Sequence, residues 1–220
     1  MPVLQHIDGT RTMIRIITIE REFGSGGGAI AANLAARLDW TLWDQLLTDE
    51  IARRMNCSGR EVAAHEERND PTYYRLFKAF LRGSFEGSSN LQQFRLVDAD
   101  CVREMAERIL VEVGGTGNAV IVGRGSAHYL RHRNDAFHAF IYGSTAAKVK
   151  RLMAAGRSES EALDLVHTVD RDRAAFIKRY FDLEWPSRPL FDLMINSNLG
   201  DDVAVETILD AASRCTERER

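Results

Sequence analysis

Apolar residues first crowd between positions 14 and 19, where Ile14, Ile16, Ile17 and Ile19 leave only Arg15 and Thr18 between them. So compact a β-branched run predicts a buried parallel strand rather than a helix. The run gives way to Gly24-Ser25-Gly26-Gly27-Gly28, and from Ala29 onward Ile30, Leu34 and Leu38 recur every four residues, the stripe of a helix packed on a sheet. Trp40–Trp43 reads as a second strand ending at Asp44, and Leu46–Met55 as a helix. Ser58–Glu67 is a polar helical stretch with Ser58 and Glu61 in capping-box spacing, and Asn69-Asp70-Pro71 breaks it. Tyr73–Phe85 mixes aromatics with Arg75, Lys78 and Arg82, and a Gly/Ser-rich connection follows at 83–89.

Helical periodicity returns over Asp98–Val113 and ends in Gly114–Asn118, before a third apolar strand at Ala119–Val122. Phe137–Tyr142 is a fourth strand, and Ser144–Ala155 a helix capped by Ser144 or Thr145 and stopped by Gly156. A long helical pattern spans Glu159–Phe181; Pro186 and Pro189 break it, Phe191–Asn196 is a fifth strand, and Asp201–Ala212 a closing helix. Strands and helices alternating at these lengths predict an α/β fold with a parallel sheet covered on both faces. Residues 1–13 are polar and aperiodic, a flexible tail, which leaves 14–215 as a single domain.

Composition narrows the function classes. In 220 residues, 45% hydrophobic content suffices for a full core, and a net charge of −3 supplies no basic field for nucleic acid. The expected partners are small molecules. Cys57, Cys101 and Cys215 lie far apart without metal-ligand spacing, as suits idle thiols in a reducing cytoplasm. No metal cage, signal peptide or membrane-spanning apolar run is visible, so the expected location is cytoplasmic; the oligomeric state is left open.

The chemistry gathers at the turn. Gly24, Ser25, Gly26, Gly27 and Gly28 include four glycines in five residues, which lets backbone N–H groups approach an anion at a helix N-terminus. A phosphate cradle, a dinucleotide-binding turn (G-x-G-x-x-A, with Asp44 about 20 residues on) and a purely structural turn all fit this pattern. Arg124, between Gly123 and Gly125 at the end of the third strand, is either an anion ligand or part of a structural ion pair. Asp44 either orients a ligand or caps the next helix, and Asp192, on the last strand, reads as a buried structural contact. Arg171 and Arg173 lie in Asp170-Arg171-Asp172-Arg173; they are either a solvated face or ligands of a phosphoryl group. The six histidines are scattered and suggest no role.

Taken together, Glu20-Arg21-Glu22-Phe23-Gly24-Ser25-Gly26-Gly27, Gly123-Arg124, the Asp-Arg-Asp-Arg run and the strand Phe191–Asn196 resemble the cytidylate kinase-like branch of the P-loop nucleoside monophosphate kinases. The resemblance spans about 14–209 and is thinnest between Asn56 and Asp98. It implies a three-layer P-loop kinase sandwich with a five-stranded parallel sheet, an acceptor-binding insertion at about 56–97 and an arginine-rich lid at about 157–189. It further implies ATP and Mg²⁺ as cofactors and a nucleoside monophosphate, CMP or dCMP, as acceptor. On these positions Gly24–Gly28 and Arg21 hold the donor phosphates, Arg124 the acceptor phosphate, and Arg171 and Arg173 the transferring group. Arg75, Lys78, Arg82 and Arg95 lie where the family grips the acceptor, with no motif to single one out.

The chain departs from the pattern at three places. The lysine of the full phosphate-loop motif is replaced by Gly27, the Mg²⁺-binding hydroxyl falls on Gly28 or Ala29, and Val122 stands where an acidic residue precedes the Gly-Arg pair. The lysine's task then falls to Arg21, Arg124 or the lid. The expected activity is ATP-dependent phosphoryl transfer; the alternatives are a nucleotide-binding sensor with little turnover and, more distantly, an NAD(P)-binding Rossmann protein.

Overall fold

The computed structural model describes residues 13–57 and 99–215. Strands β1 (Ile16–Arg21), β2 (Thr41–Trp43), β3 (Ala119–Val122), β4 (Ala136–Tyr142) and β5 (Leu193–Asn196) form one sheet in the order β2-β3-β1-β4-β5. Every neighbouring pair is parallel. The helices are α1 (Gly27–Leu38), α2 (Gln45–Cys57), α3 (Ala99–Thr116), the single turn α4 (Ser126–Tyr129), α5 (Thr145–Ala154), α6 (Glu159–Phe181) and α7 (Asp201–Arg214). The expected helix at 58–67, the aromatic stretch 73–85 and the insertion at about 56–97 with its four candidate basic residues lie outside the described residues, as does the tail before Met13.

Side chains alternate across a strand, and β1 shows how this builds two cores. Ile16 joins Leu47 and Ile51 of α2, Ile109 and Leu110 of α3, and Phe176 and Ile177 of α6 on one face. Ile17 and Ile19 join Ile30 and Leu34 of α1 and Ile208 of α7 on the other. A fully buried leucine such as Leu34 contributes about 2 kcal/mol over an exposed one, so these two layers carry most of the fold. A third cluster of Phe23, Leu152, Ala162, Val166 and Val169 ties the residue before the glycine turn to α5 and α6.

The boundaries moved where hydrogen bonding overrode composition. Arg15 and Ile16 both donate to the Asp135 carbonyl, at 2.8 and 3.1 Å, so the strand begins at Ile16 rather than Ile14. At its other end pairing continues past the isoleucines, with Glu20 opposite Phe140 and Arg21 opposite Ile141. The extension matters because it carries two charged side chains into the sheet's carboxyl end. Ser144, rather than Thr145, caps α5, its Oγ accepting from the Ala147 N–H at 3.3 Å. Asp192 makes the expected structural contact, but at an exposed position rather than a buried one: its Oδ2 accepts from the His138 N–H at 2.7 Å and its own N–H donates to the His138 carbonyl at 2.8 Å.

Candidate functional site

β1 ends at the centre of the sheet, and the turn that follows is shaped by backbone conformations that favour glycine. Gly24 and Gly26 have φ of 76° and 84°. Ser25, buried, donates from Oγ to the Glu22 carbonyl at 2.8 Å, so it braces the turn from within. α1 then starts at Gly27 with no side chain capping it. The first N–H groups of a helix have no partner inside it, so this end is open to an anion.

Arg21 explains the glycine at position 27. A Cβ built on Gly27 would stand 2.7 Å from the Arg21 Cβ and 2.8 Å from its Cγ. The arginine stem therefore lies where a lysine at 27 would start, and its guanidinium reaches the place a Cβ on Gly123 would take. Two glycines in separate turns make room for one arginine, which is 5% exposed.

The turn after β3 is a left-handed run, with φ of 67° at Gly123, 56° at Arg124 and 68° at Gly125. For an arginine this conformation costs roughly 1–2 kcal/mol. Three bonds hold it: Nη1 donates to Asp44 Oδ1 at 2.9 Å and to the Val122 carbonyl at 3.0 Å, and Nη2 donates to Thr48 Oγ1 at 2.6 Å. Both acceptor side chains are buried. Burial pushes the Arg124 guanidinium down, and Asp44 opposes the shift. Asp44 and Arg124 thus form a buried ion pair that ties the start of α2 to the β3 turn.

α6 sends side chains directly to the backbone around the turn. Asp170 Oδ1 accepts from the Phe23 N–H at 2.7 Å, and Arg173 Nη1 donates to the Arg21 carbonyl at 2.9 Å and to Asp170 Oδ1 at 3.3 Å. Burial, and after it Arg21, pushes the Arg173 guanidinium down to about 9 against Asp170 and Glu20; it stays charged at neutral pH. Burial raises the Asp170 carboxyl, with Arg173, the Phe23 N–H and Lys148 pulling the other way. Arg171 stands apart: its side chain is 66% exposed and lies 3.9 Å from Asp172. Of the four arginines that the sequence singles out, then, Arg21, Arg124 and Arg173 come together near the glycine turn and Arg171 does not.

Two participants were not expected from the sequence. Lys148 of α5, almost fully buried, donates from Nζ to Glu22 Oε2 at 2.9 Å and lies 3.4 Å from Asp170 Oδ2. It sits four residues before buried Leu152, and that helical spacing was a usable signal. Glu20 is 6% exposed, and its Oε1 has no hydrogen-bond partner among the described residues. It lies two and four residues on from Thr18 and Ile16, so alternation alone places it on their buried face. Burial raises the Glu20 carboxyl, opposed in order by Arg21, Arg173, Arg124 and the Gly125 N–H.

Sheet order separates this fold from the dinucleotide-binding one, in which β2 lies beside β1; here β3 fills that place. Parallel order, an open helix end after β1 and arginines gathered at the sheet's carboxyl end define a kinase-type protein of P-loop fold. The chain belongs to the cytidylate kinase-like family, whose sequence model matches residues 16–199. Among solved structures it is similar to an uncharacterized protein from Eubacterium ventriosum, with 23% identity over 92% of this chain and 99% of that one and a TM-score of 0.65. It is also similar to shikimate kinase from Acinetobacter baumannii in complex with shikimate (15% identity, 90% and 93% covered, TM-score 0.52). A third likeness is to TT1252 from Thermus thermophilus (17% identity, 90% and 97% covered, TM-score 0.50). At these identities the structural likenesses speak for the fold. Comparison with curated proteins gives no match. No helix among the described residues is long and apolar enough to cross a membrane.

Proposed function

We propose that this protein transfers the γ-phosphoryl group of ATP to the phosphate of a cytidine nucleotide, CMP or dCMP. The observation that supports it most is the convergence of Arg21, Arg124 and Arg173 beside the uncapped first turn of α1. In this reading the amides of Gly24–Gly28 and the Arg21 guanidinium hold the donor phosphates, Arg21 supplying the charge that a lysine at position 27 would have brought. Arg173, fastened to the Arg21 carbonyl, faces the transferring group, where charge spreads over the equatorial oxygens. Arg124, fixed by Asp44 and Thr48, lends its charge to the acceptor phosphate together with a basic residue of the 56–97 insertion.

The residues present do not fit a protein-built Mg²⁺ site. Gly28 and Ala29 carry no hydroxyl, Asp44 is paired with Arg124, and no group of three His, Cys, Asp or Glu among the described residues is placed to hold a metal. Mg²⁺ commonly rides on nucleotide phosphates and water, and no step here is assigned to it. The same missing hydroxyl favours a second reading, a sensor that binds ATP with little turnover. ADP formation with Mg-ATP and each of CMP, dCMP, UMP, AMP and shikimate, beside thermal shifts with the same ligands and NAD(P), tests both. CMP- or dCMP-dependent ADP supports the kinase; ATP stabilisation without ADP from any acceptor replaces it with the sensor.

A further inference from the structure

The glycines that make the turn approachable also leave it with little stiffness of its own, because glycine loses more conformational freedom on ordering than any other residue. The three residues before Gly24 supply what the turn lacks, since each is fastened to α5 or α6. The Arg21 carbonyl accepts from Arg173 Nη1 at 2.9 Å. Glu22 Oε2 accepts from Lys148 Nζ at 2.9 Å and from the Gly143 N–H at 3.2 Å. Phe23 packs its ring among Leu152, Ala162, Val166 and Val169 and donates its N–H to Asp170 Oδ1 at 2.7 Å. Lys148 also meets the turn with its stem, for a Cβ on Gly24 would stand 3.2 Å from the Lys148 Cβ.

Asp170 is where these fastenings join. Its Oδ1 also lies 3.3 Å from Arg173 Nη1, and its Oδ2 lies 3.4 Å from Lys148 Nζ. It follows buried Val166 by four residues and precedes Arg173 by three, so helical spacing turns all three toward the same face. The bond to the Phe23 N–H falls immediately before Gly24, whose φ of 76° begins the turn. We propose that Asp170 is a positioning residue for the donor nucleotide: through the Phe23 N–H it holds the Gly24–Gly28 amides in one arrangement, ready for the donor phosphates. The proposal rests on the reading of this turn as a donor-phosphate site. A carboxylate acceptor makes a bond roughly twice as strong as a neutral one, and amides already ordered bind an anion without the cost of ordering them. Lys148 and Arg173 balance the charges of Glu22 and Asp170. Truncating Asp170 strands neither cation, since Lys148 keeps Glu22 and Arg173 keeps the Arg21 carbonyl.

Amide hydrogen exchange and ATP calorimetry on the full chain test this with three variants. Asp170→Ala should speed exchange of the Phe23 N–H by at least ~10-fold more than that of the Ile121 N–H, which reports on the sheet, and should weaken ATP binding by ~10-fold. Asp170→Asn keeps an oxygen acceptor at Oδ1 and should hold both readings within ~3-fold of the parent. Asp170→Glu keeps the charge but moves the acceptor by one methylene, and should behave as the alanine variant does. If Asp170→Ala fails to fold, the asparagine and glutamate variants decide by the same ranking. Parent-like ATP binding in Asp170→Ala, tighter ATP binding in Asp170→Glu than in Asp170→Asn, or equal acceleration at Phe23 and Ile121 overturns the role of Asp170 and leaves the donor-site reading intact. A parent that binds no ATP overturns the two together.

Discussion

Gly27→Lys restores the residue that the phosphate-loop motif prescribes, and the structure predicts that it harms this protein. The new Cβ would lie 2.7 Å from the Arg21 Cβ and 2.8 Å from its Cγ, far inside contact distance. These are the base of the side chain, not its flexible end, and Arg21 is pinned in β1 opposite Ile141 of β4. Neither partner can swing away without moving the strand or the start of α1. Overpacking of this kind costs about 1–3 kcal/mol, against which the better helix propensity of lysine returns less than about 1 kcal/mol. For a chain of this size the net loss lowers Tm by up to roughly 10 °C. ATP stabilisation should fall as well, since the displaced guanidinium is the charge proposed to meet the phosphates. Arg21→Gly removes the obstruction, so Arg21→Gly/Gly27→Lys should recover much of the ATP-induced shift lost in Gly27→Lys. The two substitutions should couple by about 0.5–3 kcal/mol in a double-mutant cycle read by thermal unfolding with and without ATP. If Gly27→Lys alone raises Tm and the ATP shift, or the two changes simply add, then Arg21 does not stand in for the lysine.

Three further outcomes follow from the geometry. Gly26→Val should lower Tm and abolish ATP stabilisation, because φ of 84° is strained for a β-branched residue and its Cβ would meet the Arg151 guanidinium at 2.6 Å; ATP binding equal to the parent's would remove the phosphate cradle from the argument. Arg173→Ala should lower kcat by at least ~10-fold with little change in ATP affinity, while Arg171→Ala, an exposed position, should change kcat by less than ~2-fold; ADP formation with ATP and CMP measures both, and a reversed ranking would show that α6 presents its other face during turnover. His128, stacked on Phe181 with ring centroids 4.4 Å apart, is held down to about 4, first by burial and then by Arg131. Its folded value lies below the unfolded one of about 6.5, so its full contribution is present above pH 6.5 and is lost as pH falls toward 4, by up to about 3 kcal/mol. Denaturant titrations from pH 7.5 to 4.5 should show this loss reduced in His128→Phe, and parallel curves for the two proteins would contradict the assignment.

The element order was legible because its causes are local. β-branched runs, four-residue apolar spacing, Ser144 and the glycine turns each act within a few residues, and all five strands appear where the pattern put them. The difference between Arg173 and Arg171 is also written in the local pattern. Arg173 lies four residues after Val169 and three before Phe176, on the stripe of Ala162, Val166, Val169 and Ile177 that α6 buries, whereas Arg171 lies off it. Two helical residues two apart point about 200° apart around the axis, so the pair could never have faced the same site from one straight helix.

By itself, then, the sequence determined the alternation of strands and helices, the glycine turn after the first strand and the absence of a side chain at position 27, since each depends on residue type and short-range spacing. What fills that gap was decided only when β1, the β3 turn and α6 met at the sheet's carboxyl end. There Arg21 crosses from Gly27 to Gly123, Arg124 pairs with Asp44 some 80 residues away, and Arg173 reaches the Arg21 carbonyl across 152. Buried charges choose partners by distance in space, because low local polarity makes each unpaired one expensive; no pattern along the chain encodes that distance.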